Sequence, residues 1–425
     1  MRSCPGKLRI AGLLLALIPV APTVAATLDW PGPPPCNSTL MSCADFAQAG
    51  DTLRIVSSAT VGERLQIFKP LSIVTAPGVS LTLTSTESHL MSINSAVPWM
   101  VEISGIQIVG GSWFFAVNGA QPGELTLQQL SFRGHATGAS TQLQVSMNQT
   151  GSARSQVRIR RSQFEIGSDN AAPNSLIVYG SGSSGGQILI EDNRFRPEGV
   201  VMAQSAHKAL HGVLGGSGVW EAVIRRNQML PAVATPSRRY ASGVEVASVD
   251  SASVNLLLHD NLMLLDQIAG AGRYGILLGG SGGQMSARVL NNTIVNAYTV
   301  LGFYANSSGQ FDNNIVSGGF RFYEGAAPAG NFLQRGNLIF GMSETSSWPI
   351  APGTLIVDPM LSAQGSPLPG SPVIDAGSDL ARGASGPGTL GVPEAFDALH
   401  LRRLEGAQVD IGAFEGERLF YDGAE

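Results

Sequence analysis

Charge is scarce in this chain. Asp, Glu, Lys and Arg make up 13% of its 425 residues, and acids outnumber bases 31 to 26. Lysine is rarer still, occurring only at Lys7, Lys69 and Lys208. A net acid with so few cations lacks the electrostatic footprint of a nucleic-acid binder, so no nucleic-acid partner is expected. Cysteine is limited to Cys4, Cys36 and Cys43, and the two later thiols have no neighbouring ligands with which to hold a metal. No P-loop, Rossmann fingerprint or zinc motif is present. Gly215-Gly216-Ser217-Gly218 and Gly279-Gly280-Ser281-Gly282-Gly283 read as turns between strands, not phosphate loops, because no helix pattern follows them. No segment after the N-terminal stretch is long or apolar enough for a membrane span.

What is plentiful is glycine, with 52 residues, alongside many Val, Ile, Leu, Ser and Thr. That composition suits an all-β protein rich in turns, and the length is ample for a large core. Residues 1–26 read as a secretory signal. Arg2, Lys7 and Arg9 form a basic start, a short apolar stretch runs from Ile10 to about Val20, and Val24-Ala25-Ala26 offers a small-residue cleavage site. Removing them leaves 23 basic and 31 acidic residues, a formal charge of −8. Cys4 leaves with the signal. In an exported chain the remaining pair, Cys36 and Cys43, reads as a disulfide that pins an N-terminal cap over residues 27–52. The expected location is secreted or periplasmic, the tail after Glu415 is short and polar, and the protein is expected to be released and monomeric.

A phrase of the form polar–Asn–x–apolar recurs along the chain. It stands at Asp192-Asn193-Arg194-Phe195, Arg226-Asn227-Gln228-Met229, Asp260-Asn261-Leu262-Met263, Asn291-Asn292-Thr293-Ile294, Asn313-Asn314-Ile315-Val316 and Gly336-Asn337-Leu338-Ile339. A looser copy, Arg161-Ser162-Gln163-Phe164, precedes them. Successive Asn residues are 34, 34, 31, 22 and 23 residues apart. The shorter spacing fits one coil of three short strands and three turns, and repetition of this kind marks a solenoid. First strands are expected near 176–179, 212–214, 243–246, 275–278, 301–304 and 320–323. Second strands are expected near 157–160, 188–191, 222–225, 255–259, 287–290 and 310–312, with upstream strands at 101–108, 113–117 and 125–132. The fold class is therefore an all-β, single-stranded parallel β-helix over 53–345, followed by a C-terminal capping segment over 346–425. Asn suits the turn because it tolerates left-handed angles, and stacked amides can bond from coil to coil.

In register, the residue before the Asn/Ser position runs Arg161, Asp192, Arg226, Asp260, and the one before that runs Arg160, Glu191, Arg225, His259. Opposite signs then stand side by side, so these residues read as a surface charge ladder with a structural role.

The chain resembles the right-handed parallel β-helix, or pectate-lyase-like, superfamily. Ala49-Gly50-Asp51-Thr52-Leu53-Arg54-Ile55 and Lys69-Pro70-Leu71-Ser72-Ile73 are similar to the opening of many exported β-helix proteins. Asp358-Pro359, Gly370-Ser371-Pro372-Val373-Ile374-Asp375-Ala376-Gly377 and Val409-Asp410-Ile411-Gly412-Ala413-Phe414-Glu415 resemble the tail of the exported choice-of-anchor Q domain proteins. The resemblance implies fold and export, not chemistry. Members usually carry a surface anchor after this tail, and this sequence shows none. The tail is expected to close the open end of the solenoid. Asp375, Asp410 and Glu415 are expected to pair with Arg402 or Arg403, with Ca²⁺ as the alternative. No calcium-loop spacing is present, so no cofactor is firmly expected.

The three longest coils carry extra residues between the Asn turn and the next first strand, and these are expected to protrude as loops. They bear His207-Lys208-Ala209-Leu210-His211, then Arg238-Arg239-Tyr240, then Arg273-Tyr274. Aligned on Gly212, Gly243 and Gly275, with Tyr304 and Tyr323 on the next coils, they make a basic, aromatic-edged stripe. Such a stripe suits an extracellular acidic polysaccharide, with cations on uronate or sulfate and rings on sugar faces. Ordinary solvated loop charge is the alternative. If the stripe is catalytic, the resemblance suggests β-elimination, with Lys208 as base and Arg239 as carboxylate partner, and with Arg273, Tyr240, Tyr274 or a His as the other candidates. Hydrolysis needs two opposed carboxylates, and only Glu245 offers itself. The rival to a polysaccharide-binding or -cleaving protein is a non-catalytic envelope or adhesion solenoid.

Overall fold

A computed structural model describes residues 25–134, 141–151, 154–166, 174–197, 207–231, 240, 242–265, 273–304, 306–325, 332–344, 350–378, 397–399 and 408–415. Among them are 31 strands and one short helix. Alternating apolar and polar residues put every second side chain into a common interior, as in Ser155–Arg160, where Val157 and Ile159 are buried. No such strand can bury its apolar face alone. Each instead pairs in parallel with the equivalent strand of the next coil.

One sheet has 12 strands, including Gly185–Glu191, Val219–Arg225, Ser253–His259 and Gln284–Leu290 in succession. This is the first wall. The other sheet, of 19 strands, bends into two walls. Leu262–Leu264 and Tyr274–Leu278 both pair with the single strand Thr293–Phe303, the former through its start and the latter through its end. The second wall thus holds Gln163–Ile166, Arg194–Pro197, Gln228–Met229 and Leu262–Leu264. The third holds Asn174–Gly182, Lys208–Leu214, Ser242–Ser248 and Tyr274–Leu278. Crossovers between parallel strands of one sheet are right-handed in nearly all proteins, so this is a right-handed parallel β-helix. The expected strands are present with two changes. Segments 101–108 and 125–132 each divide around a turn, at Gly105 and at Gln129, whose φ values are +74° and +54°.

The recurring Asn points inward. Asn193, Asn227, Asn261, Asn292, Asn314 and Asn337 are fully buried. Each side-chain Nδ2 from Asn193 to Asn314 donates to the next Asn Oδ1 at 2.9–3.2 Å. Each backbone N–H in the same run donates to that same oxygen at 2.8–3.1 Å. Ser162 begins the ladder, its N–H bonding Asn193 Oδ1 at 3.0 Å. The residue that turns left-handed is the one before. Arg161, Asp192, Arg226, Asp260, Asn291 and Asn313 have φ between +51° and +59°, and Gly336 takes the position with φ +57°. The expectation that Asn supplies the left-handed angle is corrected: its side chain is needed for the ladder, and its polar neighbour takes the strain of roughly 1–2 kcal/mol.

The charge columns pair, but not at the surface. Arg225 Nη2 lies 2.6 Å from Glu191, and Arg226 reaches Glu191 at 2.9 Å and Asp192 at 2.8 Å, with side chains no more than 12% exposed. Arg160 departs from the pattern, donating instead to Gln128. Buried in this way, the network is costly to break singly, unlike an exposed ladder.

At the N-terminus Cys36 and Cys43 are disulfide-bonded, and the helix Leu40–Phe46 lays Leu40, Cys43 and Ala44 over the core. The opening motif explains itself here. Asp51 accepts the N–H groups of Ala26 and Gln48, and Glu63 accepts those of Leu40 and Met41 at the helix start. Lys69 donates to the Asp45 and Ala47 carbonyls at the helix end.

The C-terminal segment does more than close an end. Leu355 adds a rung beyond Leu338. The motif residues, however, lie along the flank of the second wall, with Ala398, Ala413 and Phe414 on Leu262 and Leu264, and Val373 and Ile411 on Ile315 and Leu338. A Cβ on Gly412 would fall 2.5 Å from Ile315 and 2.8 Å from Thr293, so only glycine fits that close approach. Asp375 and Asp410 accept backbone N–H groups within this segment, while Arg402 and Arg403 lie outside the described residues.

Replacing Asn261 by Ala is expected to cost about 3–5 kcal/mol, because it strips partners from Asn227 and leaves buried backbone groups unpaired. Urea unfolding at matched pH measures it. His89 is buried beside Trp113 and accepts a bond from Leu65 N–H at its Nδ1. Desolvation, with Arg64 adding repulsion, lowers its pKa from 6.5 to about 4. The unfolded chain therefore takes up a proton that the fold refuses as pH falls from 6.5 to about 4. Stability is lost across that window, by up to about 3 kcal/mol. His89→Gln is expected to flatten that decline in melting temperature against pH.

Candidate functional site

The third wall carries the candidate site on its outer face. Its register runs Asn174–Lys208–Ser242 and then Tyr274–Thr299–Arg321–Glu344 on successive coils. Three residues on, it runs Ile177–His211–Glu245–Leu277–Gly302–Glu324. These residues stand on strands, which corrects the expectation that Lys208, His211 and Tyr274 protrude on loops. Pairing with Asn174 and Ser242 draws the strand back to Lys208.

The register also corrects the expected stripe. Gly212 pairs with Val246, while Gly243 lies between Ser242 and Val244, which face Lys208 and Leu210. Inward packing of Leu210 on Val244 sets this offset, three residues away from alignment on the glycines. Lys208 consequently stacks on Ser242 and not on the position of Arg239. Arg238 and Arg239 themselves lie outside the described residues.

Two charge centres occupy the wall. Lys208 Nζ lies 2.5 Å from Glu245 Oε2, and His211 Nε2 lies 3.7 Å from Glu245 Oε1. Burial holds the His211 pKa below its ordinary value, Lys208 lowers it further, and Glu245 opposes them. His211 is thus a neutral imidazole at neutral pH. Lys208, engaged by a carboxylate, is poorly placed to act as a base. Further along, Arg321 reaches Glu324 at 3.2 Å and Glu344 at 3.1 Å, and Thr299 Oγ1 donates to Glu324 at 3.3 Å.

Aromatic rings join the two centres. Tyr274 lies against Gly302, where an added Cβ would come 2.7 Å from its ring. Its phenol is held above its ordinary pKa by burial, then by Glu324 and Tyr304, with Arg321 opposing and Glu245 adding a smaller upward push. Tyr274 therefore feels both carboxylate groups. Tyr304 is 46% exposed, and Tyr179 is 36% exposed on an earlier coil of the same wall. Tyr298 stacks on Phe320 at 4.9 Å, and the Arg321 guanidinium lies 5.6 Å from the Phe320 centroid.

Other expected members are elsewhere. Tyr240 is fully buried and shares a 2.7 Å hydrogen bond with Ser175. Tyr323 is packed in the core beside Phe303. His207 and Arg273 are buried at 2% and 8% exposure. None of these four lies on an exposed stripe, because the positions before and after the strand bend turn inward. Glu245 and Glu324 share a column but stand three rungs apart, about 14 Å at the ordinary interstrand spacing. That strand separation exceeds the roughly 5–9.5 Å between carboxylates that glycoside hydrolysis uses.

Tyr298, Thr299, Phe320, Arg321, Glu324 and Glu344 were not singled out in the sequence. The signal was there: Thr299, Arg321 and Glu344 each stand seven residues after Asn292, Asn314 and Asn337. In the 22–23-residue coils that offset is constant. In the longer coils the insertions break it.

No protein-family profile matches this chain, and no curated protein matches it. Among solved structures it is similar to pectate lyase Pel9A, with 12% identity and a TM-score of 0.46, over 89% of this chain and 91% of that one.

Glu245→Gln removes the one charge that raises the His211 pKa, so the imidazole is expected to titrate at lower pH than in the parent protein. Lys208→Met is expected to shift it upward. NMR titration of the ring protons, assigned with His211→Gln, measures both.

Proposed function

We propose that this protein binds an extended polysaccharide along the outer face of the third wall, with the glycan running parallel to the solenoid axis. The observation that carries this reading is the contiguity of Tyr274, Tyr304 and the Tyr298–Phe320 pair with hydrogen-bonding side chains on successive rungs. Rings offer apolar faces to sugar C–H surfaces, and Glu, Arg, His and Thr groups beside them suit sugar hydroxyls. Rungs repeat at about 4.8 Å, comparable to the advance of one sugar along an extended chain. The Cys36–Cys43 disulfide and the signal-like residues 1–26 support an exported, extracellular setting.

Cleavage is the finer part of the proposal. Only a uronide could undergo elimination here: His211, the neutral imidazole beside Lys208, would take the proton next to the carboxylate as the glycosidic C–O bond breaks, and solvent would protonate the departing oxygen. The engagement of both Lys208 and Arg321 by carboxylates favours binding without cleavage, which is also what an adhesion solenoid needs.

The test is affinity electrophoresis of the purified protein through gels carrying a panel of polysaccharides, with absorbance at the unsaturated-uronide band followed in parallel. Retardation by at least one polymer is expected. Tyr304→Ala and Tyr274→Ala are each expected to weaken it about 3- to 10-fold. Retardation by no polymer defeats the proposal. Absorbance that rises, and that His211→Gln abolishes, establishes a lyase.

A further inference from the structure

We infer that the glycan recognised by the third wall is an uncharged, hydroxyl-rich polymer and not a uronate or sulfate polymer. This rests on the binding reading above and names its ligand class. The described groups on the wall are Lys208 and Arg321 against Glu245, Glu324 and Glu344, with His211 neutral, so among the described residues the site carries no cationic excess. Both cations spend their charge inside the wall. A carboxylate or sulfate on the ligand would have to displace Glu245 from Lys208, or Glu324 and Glu344 from Arg321. It would otherwise lie beside three like charges on a partly exposed face, where repulsion is felt most at low ionic strength.

A neutral sugar meets no such barrier. Glu245 accepts from Lys208 through one oxygen at 2.5 Å, while its other oxygen lies 3.7 Å from His211. That second oxygen retains capacity to accept from a hydroxyl, as an ionised carboxylate has about four lone-pair sites. Glu324 is half exposed and similarly placed beside Thr299. Tyr274, flat against Gly302, and the Tyr298–Phe320 stack supply apolar platforms on the adjoining rungs. Ion pairs that orient carboxylates between aromatic platforms are arranged to receive hydroxyls, and specificity against a polyanion follows from the repulsive element.

The experiment uses the full exported chain in affinity gels containing hydroxyethylcellulose, galactomannan or polygalacturonate at low ionic strength. The parent protein is expected to bind a neutral polymer at least ~10-fold more tightly than polygalacturonate. The double variant Glu245→Gln, Glu324→Gln frees Lys208, removes one of the two carboxylates on Arg321 and is expected to gain at least ~10-fold in polygalacturonate binding, a gain that added salt removes. Glu344→Gln, which removes a single carboxylate from Arg321, is expected to give a smaller gain in the same direction and serves if the double variant does not fold. Parent protein that prefers polygalacturonate, with no response to these substitutions, overturns this inference and leaves the binding reading intact. Absence of binding to all three polymers, by protein with an intact melting transition, overturns this inference and counts against the binding reading as well.

Discussion

Register is the constraint on which this molecule depends, and the buried amide ladder from Ser162 to Asn337 holds it. Each Asn oxygen from Asn227 to Asn337 takes two donors from the coil before it, one from a side chain and one from the backbone. Each Nδ2 also reaches a carbonyl one coil earlier, as Asn261 does with Ile224. A slip of one residue would orphan all of these groups in a dry interior, where unpaired amides are expensive. The ladder therefore justifies a left-handed turn at non-glycine residues on six successive coils. It also fixes which residues stack outside. Glu191 meets Arg225, and Arg226 meets Asp192, because the neighbouring Asn residues are locked together.

From that register follows a division of labour among the walls. The second wall changes character along its length. Its outward positions are Gln163, Arg194 and Gln228 on earlier coils, then Leu262, Thr293, Ile315 and Leu338 on later ones. Three of these four later positions are apolar because the C-terminal segment lies over them, and Thr293 accepts the Ala413 N–H of that segment. On the third wall the same later coils present Tyr274, Tyr298, Phe320, Arg321 and Glu324 at partly exposed positions. The tail thus stabilises one side of these coils while the adjoining side remains available to a ligand. Here a rigid scaffold places side chains on consecutive rungs at a fixed repeat, which suits a repeating polymer.

Much of the fold was legible. The Asn period announced the coil, the alternation placed most strands, and the cysteine pair indicated its disulfide. The site was legible only in part. Lys208, His211, Glu245, Tyr274 and Tyr304 were named and do share a wall, but the stripe was drawn on the wrong register. The three glycines used as anchors look equivalent in sequence, yet Gly212 pairs with Val246, three residues beyond Gly243, whereas Gly243 does stand beside Gly275. Insertions of unequal length separate the Asn ladder from the third wall in those coils, so counting from Asn carries no register across them. Tyr240 and Tyr323 looked like surface rings because a tyrosine in a turn-rich region reads the same whether its face is buried or not. The carboxylate partners of Arg321 were invisible because Glu324 and Glu344 come from a nearby residue and from a separate coil.

By itself, the sequence determined that this chain is a solenoid, where its turns fall and which residues face the core, since period and alternation are local properties that each coil repeats. Only the tertiary structure decided what stands beside what on the outside. Outer neighbours come from different coils, and their alignment is set by inward packing and by the lengths of the intervening insertions. That alignment turned an expected basic stripe into a charge-paired, aromatic surface, because Lys208 and Arg321 acquire their carboxylates only when the strands stack.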